Sequence, residues 1–97
     1  MSWNYTIEVQ AGEDIEAAVL AKHDAHIVRY PGVSQEHALA ASPKVREAAK
    51  IAGNEAKNKK GKLRIYVEGP DLAYDDSIEI DGTKQLRPVR VEVTELS

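Results

Sequence analysis

Trp3, Tyr5, Ile7 and Val9 alternate with Asn4, Thr6, Glu8 and Gln10. That period of two predicts a strand with one buried face. Ala11-Gly12 breaks it. Over residues 13–23 the period lengthens, and Ile15, Ala18, Val19 and Lys22 share one helical face, with the Lys22 stem able to lie along apolar surface. Glu13, Asp14 and Glu16 fall in the first turns of that helix, where carboxylates complement its dipole. Residues 26–30 read two ways, as a short extended piece or as a buried connection. Pro31-Gly32 ends them.

Ser34 is placed to cap a short helix through Ala41. Ser42-Pro43 then has the form of a fresh cap followed by proline at the first helical position. The helix so begun reaches about Asn58, with Val45, Ala48, Ala49, Ala52 and Ala56 along one face. A face of alanines approaches its partner closely but buries little area per residue. Gly61 stops the helix, and Lys57, Lys59 and Lys60 suit its negative end.

The last third returns to period two. Leu63, Ile65 and Val67 form one set, Ile78 and Ile80 a second, Val89, Val91 and Val93 a third. Asp81-Gly82 signals a tight turn between the last two sets, and Pro88 belongs at a strand start or on an edge. The order is strand, helix, helix, then two or three strands. This is a single α+β domain with helices on one face of a three- to four-stranded mixed or antiparallel sheet. Any parallel pairing would need a right-handed crossover. Glu8, Arg64, Tyr66, Glu68, Glu79, Arg90 and Glu92 then point away from the helices.

Composition sharpens this picture. The 97 residues allow one core, and with no Phe, one Trp and one Met that core rests on Ile, Leu, Val and Ala. A core so thin makes a partner or a homodimer a natural source of added stability. The lack of cysteine removes disulfides, thiolate nucleophiles and cysteine-based zinc sites together. No apolar run is long enough for a membrane span or a signal segment, so a cytoplasmic protein is expected. A net charge of −3 argues against broad attraction to nucleic acid, while leaving room for a local basic site.

Three segments could carry chemistry. His23 and His26, three residues apart with Asp24 between, could hold a metal with help from His37, but without a motif such as HExxH they read as ordinary surface or helix-end histidines. Lys57, Lys59, Lys60, Lys62 and Arg64 form a basic cluster that could bind the phosphates of a nucleic acid or a small ligand. No aromatic platform interleaves with it, and a lysine-rich helix end has ordinary dipole and solubility reasons. The connection 69–76 is long for a hairpin, and within it Asp71, Leu72, Tyr74, Asp75 and Asp76 are candidates for contact with a partner. Ser34 and Ser42 read as helix caps, no G-x-S-x-G or glycine-rich phosphate loop occurs, and no catalytic residue, metal or cofactor is assigned. Trp3 reads as a core or rim residue.

The layout resembles that of small proteins encoded by actinobacterial phages. The matching pieces are Trp3-Asn4-Tyr5-Thr6-Ile7-Glu8-Val9, the block around Glu47-Ala48-Ala49, and Leu63-Arg64-Ile65-Tyr66-Val67-Glu68-Gly69 with Tyr74-Asp75-Asp76-Ser77-Ile78. The resemblance implies a small non-enzymatic accessory protein in the host cytoplasm, acting by binding a protein partner or itself. The alternative is a binder of nucleic acid or a phosphorylated small ligand through residues 57–64.

Overall fold

A computed structural model describes residues 2–29, 35–70, 77–80, 82–86 and 88–96. Strand β1 (Ser2–Gln10) leads into helices α1 (Ile15–Arg29) and α2 (Gln35–Ala56). Strand β2 (Lys62–Pro70) follows, then β3 (Ser77–Ile80), β4 (Thr83–Leu86) and β5 (Arg90–Glu95). The expected α+β layout is present. Its main sheet is antiparallel throughout, in the order β1-β2-β5, while β3 and β4 form a separate two-stranded ribbon.

The antiparallel pairing of β1 with β2 follows from the connection. Two helices each reverse the chain, so β2 starts beside the end of β1, with Gln10 opposite Lys62. The Ala11 N–H donates to the Gly61 carbonyl at 2.8 Å and closes that end. Gly61 turns the chain into β2 at φ 77°, which only glycine adopts without strain. No parallel pair exists among the described strands, so the crossover rule has nothing to act on.

One sheet face packs under the helices. Tyr5, Leu63, Ile65 and Val67 are buried against Ile15 and Val19 of α1 and against Val45, Ala48, Ala49, Ala52 and Ala56 of α2. Burying Leu63 or Ile65 stabilises the fold by about 2 kcal/mol each. Around this core Trp3, Ile7, Val9, Leu20, Val91 and Val93 are half-buried.

The helices differ from expectation in four ways. Glu13 and Asp14 precede α1 instead of lying inside it: the Asp14 carboxylate accepts from the Ala17 N–H at 3.1 Å as the cap, and Glu13 accepts from the Gln10 N–H at 2.7 Å. Helix α1 continues through Arg29, so residues 26–29 are helical. Lys22 is exposed, and His23 takes the inward place on the face of Ile15 and Val19.

The fourth difference is larger. The short helix expected through Ala41 and the second helix expected from Ser42-Pro43 are one, with Pro43 inside it. Proline there lacks one N–H and presses on the turn before it. Burial of the Val45–Ala56 face, and a hydrogen bond between Ser42 and α1 described below, hold the axis across that defect. At the other end of the chain, Asp81-Gly82 does not lead directly to the last sheet strand. Gly82, at φ 77°, joins β3 to β4, a strand the sequence pattern did not reveal. Pro88 precedes β5, as expected of an edge position.

Candidate functional site

The buried polar residues meet where β1, α1 and α2 converge. His23 is 2% exposed. Its Nδ1 lies 2.7 Å from the Tyr5 hydroxyl and its Nε2 2.9 Å from the Ser42 hydroxyl. The His23 and His26 rings both stand edge-on to Tyr5, at 5.6 and 5.8 Å. Trp3 stacks on the other side of Tyr5 at 5.9 Å, and its indole N–H donates to the Pro70 carbonyl at 2.9 Å.

Burial pushes the Tyr5 phenol up to about 12, so its hydroxyl keeps its proton throughout the neutral range. A neutral imidazole carries a proton on one ring nitrogen and accepts on the other, and a hydroxyl can do either, so both His23 contacts are satisfied in either tautomer. The cluster ties three elements together. His23 is therefore a buried bridge and not the surface or helix-end histidine expected, and Ser42 serves it from mid-helix instead of capping a helix. The available signal was spacing: His23 follows Val19 by four and Ile15 by eight. Both ring nitrogens of His23 are engaged by hydroxyls, and no cluster of three or more metal-ligating residues occurs among the described residues.

The face of the sheet away from the helices carries the even-numbered side chains of β1, β2 and β5, as expected for Glu8, Arg64, Tyr66, Glu68, Arg90 and Glu92. The Glu79 side chain lies outside the described set. The Tyr66 hydroxyl donates to Glu68 at 2.8 Å. Arg90 reaches Glu68 at 3.3 Å and Glu92 at 2.6 Å, with its guanidinium 5.8 Å from the Tyr66 ring centre. The Glu68 hydrogen bond raises the Tyr66 pKa, and that of Arg90 is raised chiefly by its hydrogen bond to Glu92. The result is a flat, charged surface with its charges internally matched.

The basic cluster divides in two. Lys57, Lys59 and Lys60 occupy the turn after α2, whereas Lys62 and Arg64 project from the outer face of β2. Lys62 lies 3.2 Å from the Glu8 carboxylate, and Arg64 pairs across the ladder with the same residue. Asp71, Leu72, Tyr74, Asp75 and Asp76 lie outside the described residues.

The sheet also has two outer strands, and the register shows which backbone groups they present. The Ala11–Gly61 bond fixes the odd residues of β1 as those that bond to β2. The N–H and C=O of Asn4, Thr6 and Glu8 therefore point away from the sheet. Gln10 confirms the parity, since its outward N–H is taken by Glu13 and its carbonyl accepts from the Glu13 N–H at 3.1 Å. On the far side, the Leu96 N–H bonds to the Lys62 carbonyl at 2.8 Å, so the even residues of β5 face β2 and Val91 and Val93 face outward through their backbone.

Comparison with protein-family models, with curated proteins and with solved structures finds no match. Among the described residues no helix is long and apolar enough to cross a membrane.

Proposed function

We propose that this chain is a small non-enzymatic accessory protein of the phage type, working in the cytoplasm by contact with a protein partner or with itself. The observation that carries this reading is the three-stranded sheet whose two outer strands each present a row of backbone donors and acceptors to no other described strand. Such rows are templates for added strands. The buried Tyr5–His23–Ser42 bridge supports the reading in a second way, because its polar groups are spent on holding the fold.

A phosphate-binding role for Lys57, Lys59, Lys60, Lys62 and Arg64 is weaker, because the Glu8 carboxylate already sits on Lys62 and opposite Arg64. The test is affinity capture from host cells combined with a native mass measurement. A specific partner, or a defined assembly of the chain itself, is the expected result. A monodisperse monomer that retains nothing stands against the proposal. Alanine substitutions at Asp71, Leu72, Tyr74, Asp75 and Asp76 ask whether that segment contributes to the contact.

A further inference from the structure

The two open edges are not equally defended. Proteins blunt an exposed edge with proline, lysine, other charges or a covering element. Strand β5 has Pro88 just before it and carries Arg90, Glu92 and Glu95 within six residues. Strand β1 runs nine residues with no proline, no lysine and a single charge, Glu8. Its one protected position is Gln10, where Glu13 folds back on the outward N–H. That device shows what satisfaction of this edge looks like, and among the described residues Asn4, Thr6 and Glu8 have no counterpart to it. Beside the edge, on the helix side of the sheet, Ile7 and Val9 are only half-buried.

We propose that the occupant of this edge is a second copy of the chain, paired antiparallel through β1 about a twofold axis at Thr6. This deepens the binding function proposed above and rests on it. The register has a chemical reason. With the axis at Thr6, Thr6 faces the partner's Thr6, and Asn4 faces the partner's Glu8 on both sides. A side-chain amide donor thus meets the strand's only charge twice, and the outward N–H and C=O groups of Asn4, Thr6 and Glu8 are matched without calling on Gln10. Moving the axis to Glu8 would set two carboxylates against each other, which is destabilising. Moving it to Ile7 would need the Gln10 groups that Glu13 occupies. On the helix side the same register lays Tyr5 against the partner's Ile7 and Trp3 against the partner's Val9. The product is a six-stranded antiparallel sheet, β5-β2-β1 continued by its twofold copy.

The geometry supplies a selective test. The Thr6 N–H points out of the sheet, so Thr6→Pro removes a donor that only an incoming strand would use, and proline is tolerated at such edge positions. Native mass spectrometry and light scattering across a dilution series should give twice 10.7 kDa for the unaltered chain. Thr6→Pro and Thr6→Lys should weaken the dimer by at least about tenfold, with the circular dichroism of the fold retained. Thr6→Lys carries the test if Thr6→Pro does not fold. Because the chain has no cysteine, Thr6→Cys reports the register directly. It should cross-link to a dimer under mild oxidation, and Thr94→Cys, on β5, should not.

A chain that stays monomeric near 0.1 mM, about a hundred times a micromolar Kd, overturns the proposal. So does a dimer indifferent to both Thr6 variants. If such a monomer still captures a different protein, self-pairing fails while the binding function stands. If it captures none, both fail.

Discussion

A Cβ at position 69 would lie 2.3 Å from the Trp3 ring, closer than side chains ever pack. Trp3 cannot simply retreat, because it is stacked on Tyr5 and its N–H is bonded to the Pro70 carbonyl. Gly69→Ala is therefore expected to lose about 1–3 kcal/mol of stability, seen as a lower urea midpoint and a changed near-ultraviolet signal from the single tryptophan. An unchanged midpoint would mean that the indole does not lie across β2. Tyr5 gives the pH counterpart. Its phenol titrates near 10 when unfolded and is pushed up to about 12 by burial. Its contribution to stability is complete below pH 10 and is lost as pH rises from there through 12, because the unfolded chain releases the proton first. The loss should reach about 2–3 kcal/mol by the upper end of that window. Urea unfolding at pH 9 and at pH 12 measures it, and Tyr5→Phe should show a smaller difference between the two. Equal differences in both proteins would assign the alkaline loss to other groups.

Pro43 shows how an element can override its local sequence. An exposed proline inside a helix costs about 3 kcal/mol relative to alanine, partly offset by the freedom it removes from the unfolded chain. Pro43→Ala should therefore raise stability by about 1–3 kcal/mol and increase helical circular dichroism. Two separate helices starting at Ser42 would instead lose a favoured first-turn residue and gain nothing. Ser42-Pro43 is a good helix start when read locally, and only tertiary packing of the alanine face carries the axis through it. The strands of the main sheet were legible because each keeps a strict alternation set by one buried face. Strand β4 was not: Thr83, Lys84, Gln85 and Leu86 hold one apolar residue and no period. His23 was misplaced for a similar reason. Its position on the helix matched the core face, but a titratable side chain is buried only where partners wait, and Tyr5 and Ser42 come from distant parts of the chain. The unequal edges could not be read at all before the register was known, because alternation says which way side chains point and not which backbone groups are left over.

The whole molecule is a plate. Its principal extents are 39 × 37 × 16 Å, and its radius of gyration is 14.2 Å, where a compact chain of this length would have about 12–13 Å. One helical layer on one sheet leaves the outer sheet face without a second layer among the described elements, and the ribbon β3–β4 packs substantially on no other described element. Stability should therefore be graded across the plate. Strand β2 has a hydrogen-bonded neighbour on each side, and Leu63, Ile65 and Val67 lie under the helices. Its amides can exchange only when the sheet itself opens, so they should report the global unfolding free energy. Among the described strands the β3–β4 amides have only each other's, and they should exchange by local opening, well before those of β2. Residue-resolved hydrogen exchange measures this order. Equal protection in ribbon and central strand would mean that β3–β4 is docked on a surface, and the plate would be a closed body in place of an open sheet with an arm.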